Sequence, residues 1–180
     1  MATLLYSATM SLDGYITAPG GDMSWLTSYL GPDPLVDDLS ANVGAILAGN
    51  RTFRGDDPYR DTPAEGQAFG GAWSGPQVVL THHRPSAPWP GVTFATDLIT
   101  AVNLAREAAG DKYVNVLGAD VARQCLAAGL LDEILVCIAP VLLGGGTRLH
   151  DEESGTPTRL ERIRTAEVPH SSDLWFRVLR

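Results

Sequence analysis

The chain has 180 residues, 44% of them hydrophobic and 19% charged, with a formal net charge of −8. That length and composition suit one globular domain, residues 1–180, whose core needs neither metal nor disulfide support. The acidic balance repels polyanions, so nucleic acid and anionic membrane surfaces are excluded as long-range partners and any bound anion must be met by local donors.

In chain order, Leu4 to Met10 reads as a first buried strand. Ser11-Leu12-Asp13-Gly14 then supplies turn chemistry ahead of a short Tyr15-Ile16-Thr17 extension. Pro19 to Asp22 is loop. A helix follows from about Asp33, with Pro34 in its first turn and Leu35, Val36, Leu39 and Val43 spaced by three and four. Ala45 to Ala48 is a second strand, and Gly49 to Phe53 turns into a short helix before a long Gly-, Pro- and Asp-rich loop that runs to Pro76. Gln77 to Thr81 and Val92 to Ala95 are the next strands. Thr96-Asp97 caps a helix through Leu98, Val102, Ala105 and Ala108, which Gly110 ends. Tyr113 to Leu117 is a fifth strand, Asp120 to Ala128 a helix stopped by Gly129, and Glu133 to Ala139 a sixth strand. Arg159 to Val168 and Leu174 to Leu179 alternate as a terminal hairpin does.

Strands alternating with helices, followed by a helix-free end, predict an α/β fold. Its central sheet is mostly parallel, with helices on both faces and an antiparallel C-terminal hairpin. In such sheets ligands lie beyond the carboxyl ends of the strands. Those ends are Ala8 to Met10, Gly49 to Phe53, Thr81 to Arg84 and Gly118 to Val121. The last is the most informative, because a strand that passes through Gly118-Ala119 into a helix leaves unpaired amides pointing beyond the strand, which suits a phosphate. Cys125 and Cys137 read as small buried hydrophobes in a reduced cytoplasmic setting. No basic leader opens the sequence, and no run approaches roughly 18 apolar residues.

The motifs SLDGYI, GNRTF and VVLTHHR and the block from Val114 to Leu149 together resemble the dihydrofolate-reductase-like superfamily. Within it they are most similar to the RibD C-terminal reductase domain of riboflavin biosynthesis. The resemblance covers nearly the whole chain. It implies a three-layer dihydrofolate-reductase-like fold, NADPH lying across the strand ends, and a homodimer joined at the edge formed by Ile134 to Leu143. It also implies sites. Ala8 and Ile16 border the nicotinamide, and Met23-Ser24-Trp25 closes on it. Gly49, Arg51 and Thr52 meet phosphates. Leu80, Thr81, His82, His83 and Arg84 hold the adenosine side. Leu117, Gly118, Ala119, Asp120 and Val121 cradle the pyrophosphate. Three positions depart from the family pattern. Ala119 stands where a glycine pair has its second member, and Asn50 replaces an arginine so that Arg51 offers the cation one residue later. Leu30 falls near the acid of folate reductases, with Asp33 three residues on, which argues against true folate reduction.

Reduction of a C=N or C=O bond also needs a proton donor, and Asp13 and Asp33 are the candidate carboxyls. Each has a structural reading beside the catalytic one, Asp13 as a turn former and Asp33 as a helix N-cap. His82-His83 do not point to a metal, because adjacent residues on an extended segment face opposite ways. Gly144-Gly145-Gly146 is a turn that brings Arg148 to the substrate mouth or to a partner subunit. Trp25 is a candidate wall for a planar heterocycle, and Trp175 belongs to the core. The expected activity is NADPH-dependent reduction of a small planar heterocycle, pterin-like or aminopyrimidine, by direct hydride transfer. The alternatives are reduction of a ribosylamino-pyrimidine phosphate in riboflavin synthesis, which requires a second anion site near Arg148 or Arg159, and a catalytically silent ligand-binding module on the same fold.

Overall fold

The computed structural model describes residues 2–151 and 157–180. Its elements are β1 (Leu4–Ser11), β2 (Tyr15–Thr17), α1 (Pro34–Asn42), β3 (Val43–Gly49), α2 (Asn50–Phe53), β4 (Gln77–Leu80) and β5 (Val92–Ala95). Then follow α3 (Leu98–Ala109), β6 (Tyr113–Leu117), α4 (Ala119–Ala127), β7 (Glu133–Ala139), β8 (Thr147–Arg148), β9 (Leu160–Val168) and β10 (Ser171–Val178).

Eight strands form one sheet in the order β5-β4-β3-β6-β1-β7-β10-β9. The first six of that order run parallel, and β10 lies antiparallel to both β7 and β9. This is the mostly parallel α/β sheet with an antiparallel C-terminal hairpin that the alternation of strands and helices predicts. The chain leaves β1 for β3, β4 and β5 on one side, then returns through β6 and crosses to β7 on the other. The switch in strand order therefore falls at β1, in the middle of the sheet.

Alternation along each strand sorts the core into two layers. Leu4, Tyr6, Ala45, Leu47, Val114 and Val116 face α3 and α4, where Val102, Ala105, Val121 and Cys125 cover them. Leu5, Ile46 and Leu135 face the other way and pack with Leu35 and Leu39 of α1 and with Trp175. Helix ends follow local chemistry. Asp97 accepts from the Thr100 amide at 2.9 Å at the start of α3, and Gly110, at φ 67°, ends it. Both cysteines are buried and unpaired.

Several boundaries differ from the sequence pattern. Val43, at helical spacing after Leu39, is instead the first residue of β3, because the chain turns into the sheet straight after Asn42. β4 stops at Leu80 because the Thr81 hydroxyl closes a turn. β10 begins at Ser171, three residues before the predicted start, since only Pro169-His170 separate the two hairpin strands. β8 was not anticipated: two residues pair with β2 in a small separate sheet. The strand within Ile134 to Leu143 is not an edge. β7 is paired on both sides, so only the loop beyond Ala139 and one sheet face are open to a partner.

Trp175 locks the hairpin to the body. It is 1% exposed, its indole N–H donates to Glu133 Oε2 at 2.7 Å, and the Arg164 guanidinium lies 5.0 Å from its ring centroid. Trp175→Ala is expected to lower the unfolding free energy by about 3–5 kcal/mol, the usual loss for a large buried aromatic, as read from urea unfolding midpoints.

Candidate active site

Parallel pairing places the carboxyl ends of β3, β4, β5, β6, β1 and β7 on one side of the sheet, where they open on a cleft of about 1920 Å³. Its lining includes Ala8, Ile16, Gly49, Arg51, Thr52, Leu80, Thr81, His82, His83, Leu117, Gly118, Ala119, Asp120 and Val121. The structure thus gathers residues from four separate strand ends that the motifs suggested.

The wall at β6 is the most closely constrained. Gly118 has φ 97°, and an added Cβ would lie 2.3 Å from Thr52 Oγ1, so only glycine fits between β6 and α2. Ala119 is the first residue of α4 and is accommodated there. No side chain caps that helix, so its first-turn amides meet the cleft. Asp120 in the same turn is held by Arg123 at 2.9 Å and Gln124 at 2.8 Å, which lower its pKa together with the nearby Arg51 charge. Arg51 makes no ion pair among the described residues and is exposed at the rim.

At the β4 end the donors are fewer than the sequence suggested. Thr81 is 6% exposed, and its hydroxyl both accepts from the His83 amide at 3.2 Å and donates to the His83 carbonyl at 3.1 Å. It shapes the turn rather than presenting a free donor. His82 and His83 are exposed and line the cleft, whereas Arg84 is exposed outside its lining.

The facing wall is made by two loops tied together. Asp56 accepts from the Met23 amide at 3.0 Å, and the Thr27 hydroxyl donates to the Pro58 carbonyl at 3.0 Å. Trp73 pins the far end of the second loop through its indole N–H on the Val43 carbonyl, 3.0 Å. Trp25 lies behind this wall, 6.1 Å from the Tyr29 ring centroid, and Met23, Leu26 and Tyr29 line the cleft in its place. Arg148 is also outside the lining, with its guanidinium 4.8 Å from the Tyr15 ring centroid.

The two candidate carboxyls separate clearly. Asp13 lies outside the cleft and clamps the loop after β7, accepting from the Ser11 hydroxyl at 2.6 Å and from the amides of Leu143 at 3.0 Å and Gly144 at 2.7 Å. Those bonds, the Ser11 hydroxyl first, hold its pKa down to about 2. Asp33 lines the cleft, is 5% exposed, and caps α1 through the Leu35 and Val36 amides at 2.8 and 3.1 Å. Beside it stand Cys137 and a residue that motif reading missed, Asp173 of β10. The signal for Asp173 was parity: Trp175 points inward, so Asp173, two residues earlier, does too.

The profile of the RibD C-terminal domain matches residues 2–170. The chain belongs to the RibD C-terminal domain family. This membership indicates a reductase. No curated protein sequence matches the chain. Among solved structures, a Shewanella sp. PV-4 protein assigned to riboflavin biosynthesis superposes with TM-score 0.76 at 23% identity, covering 100% of both chains. RibD of Acinetobacter baumannii gives TM-score 0.68 at 18% identity and covers all of this chain, which spans 59% of that one. Dihydrofolate reductase of Enterococcus faecalis, solved with NADP(H), gives 0.60 at 17% identity, covering 98% and 96% of the two chains. At these identities the likeness is one of fold, and it makes the RibD C-terminal domain here dihydrofolate-reductase-like. No helix among the described residues is long and apolar enough to cross a membrane.

The Asp13 clamp makes stability depend on pH. Its folded pKa, about 2, lies below the ordinary value, so its contribution is complete above the unfolded pKa and is lost as the pH falls toward about 2. In urea unfolding from roughly pH 5 downward, Asp13→Asn is expected to be less stable than wild type at the upper end and to converge on it at the acid end.

Proposed function

We propose that this RibD C-terminal domain is an NADPH-dependent reductase of a small planar heterocycle, pterin-like or aminopyrimidine, acting by direct hydride transfer. The observation that carries the reading is the wall at Gly118, where an uncapped helix start faces the cleft beside a turn packed so closely on Thr52 of α2 that only glycine fits, with Arg51, which makes no ion pair among the described residues, at the rim. That combination fits a dinucleotide pyrophosphate. When bound, the cofactor supplies the hydride. The amides of Ala119, Asp120 and Val121 would hold the pyrophosphate, and Arg51 would neutralise it. His82 and His83 would offer imidazole donors on the adenosine side. Ala8 and Ile16 would form the apolar wall of the nicotinamide pocket, and the tied loops carrying Met23, Leu26 and Tyr29 would exclude water from the heterocycle.

A narrower reading, reduction of a ribosylamino-pyrimidine phosphate in riboflavin synthesis, is favoured by the family. Its phosphate needs a second anion site. Arg148 stacks on Tyr15, and Arg159 lies outside the cleft lining, so neither supplies that site within the cleft. Binding of heterocycles without turnover would favour the silent-module alternative.

A homodimer belongs to the same proposal. Ile134, Ile138, Leu174 and Phe176 are half-buried on one face of the sheet, and Leu12 and Leu142 are exposed by 66% and 69% at the loop edge beside it. Light scattering is expected to give twice the 19.2 kDa chain mass, and a monomeric mass would remove this part of the proposal.

Calorimetric titration with NADPH and NADH tests the cofactor reading. NADPH is expected to bind, with Arg51→Ala weakening it by about tenfold, the order of one charge-assisted contact. Gly118→Ala is expected to weaken it by at least about tenfold, because the added Cβ must displace Thr52 or distort the strand-to-helix turn. Absence of binding by either nucleotide would leave the heterocycle-binding module as the function.

A further inference from the structure

The floor of the cleft holds a group of side chains that the proposed cofactor site does not use. Asp33, Cys137 and Asp173 come from three separate elements, are all buried, and place their carboxylate oxygens and thiol sulfur within 4.8 Å of one another. Asp173 and Cys137 are register partners across β10 and β7, and Thr9 of β1 is the next partner in the same row. Asp33 reaches the pair from the turn ahead of α1. Its Oδ1 is committed to the Leu35 and Val36 amides, and its Oδ2 faces the Cys137 sulfur at 3.8 Å.

Asp173 is the anomaly. It is 0% exposed, and neither of its oxygens has a hydrogen-bond partner among the described residues. A buried carboxylate left without a donor is among the costliest groups a fold can hold. No arginine or lysine forms an ion pair with either carboxyl among the described residues. The groups that face Asp173 are Cys137 from β7, Asp33 from the turn before α1, and Ser171 from its own strand. His170, on the β9–β10 turn, packs against Gly31 of the segment before α1, where a Cβ would lie 2.8 Å from its ring, and lines the same cleft as Asp33. Two like charges this close and this deeply buried do not both ionise. A proton between them removes the second charge and also provides the missing hydrogen bond.

We propose that Asp33 and Asp173 form a carboxyl pair that holds one proton at neutral pH, with Asp33 presenting it to the cleft and Asp173 acting as a positioning residue behind it. Asp33 lines the cleft and Asp173 does not, so the pair has one open and one closed end. In the reductase reading, on which the catalytic part of this inference rests, the proton passes from Asp33 Oδ2 to a nitrogen of the substrate. The pair then regains a proton from water through the cleft mouth. Burial raises the Asp173 pKa most; Ser171 opposes the rise, and the Asp33 carboxyl adds to it. Burial likewise raises the Cys137 thiol, so the third member of the group remains a neutral S–H.

Infrared titration of the whole protein tests the pair without a substrate, because a protonated carboxyl has its own C=O band. Wild type is expected to keep one such band at neutral pH. Asp173→Asn, nearly isosteric and able to donate its amide N–H to Asp33, is expected to lose it. Asp33→Asn is expected to lower the midpoint of the band by about one pH unit or more, since the like charge is gone. A wild type with no protonated carboxyl at neutral pH would overturn the proposal, as would an unchanged midpoint in Asp33→Asn. Stoichiometric zinc binding that Cys137→Ser abolishes would also overturn it, by making the group a metal site. Turnover of a dihydropterin with NADPH adds the functional test. Asp173→Asn should leave the NADPH Kd within about twofold while moving the pH profile of kcat, which a purely structural role would not do. Failure of NADPH to bind would remove the reductase reading and leave the infrared result standing.

Discussion

Parallel pairing of β3, β6, β1 and β7 is the constraint on which the rest of this structure depends. It brings the carboxyl ends of strands distant in sequence to one rim, and it places the reversal of strand order at β1 in mid-sheet. Each helix then starts or ends at that rim because a crossover must return the chain to the opposite end of the sheet. The cleft is therefore not carved out of a finished domain. It is the space that parallel strands leave when their connections depart in different directions.

Aspartates hold that rim in shape. Asp13, Asp22, Asp33, Asp56 and Asp97 each accept a backbone amide at or near a strand end or in a cleft loop, and Asp132 does the same for Leu4 at the opposite end of the sheet. The net charge of −8 is thus partly a record of loop construction. Carboxylates used in this way are stabilised by the hydroxyl and amide groups that donate to them, and the lowered pKa values of Asp13, through the Ser11 hydroxyl first, and of Asp22 and Asp97, through the Ser24 and Thr100 amides first, follow from it. Asp173 is the opposite case: burial and the Asp33 carboxyl outweigh the Ser171 hydroxyl and the Cys137 thiol, and no backbone amide among the described residues receives its charge. The contrast in environment, rather than in residue type, separates the scaffold acids from the pair at the cleft floor.

The same division governs what was legible in the motifs. GNRTF and the Gly118 turn could be located because glycine, a turn and an amphipathic helix start are local features, and the structure brings both to the cleft. Arg84, Arg148 and Trp25 belong to correctly located segments, yet none lines the cleft. Which face of an exposed loop a side chain occupies depends on partners such as the Tyr15 ring for Arg148 and Tyr29 for Trp25. Thr81 lies at the rim, but its hydroxyl is already used by its own turn.

By itself, the sequence determined the order and type of the main elements, the parallel character of the sheet and the positions of its strand ends, because periodicity, capping and turn chemistry act over a few residues. Tertiary structure alone decided that β7 is interior, that β8 exists, and that Asp33 rather than Asp13 faces the cleft. It also decided that Asp33 meets Asp173 across 140 positions of chain. Those outcomes depend on strand register and on which elements pack together, and no local pattern carries the energy of a contact between residues so far apart in the chain.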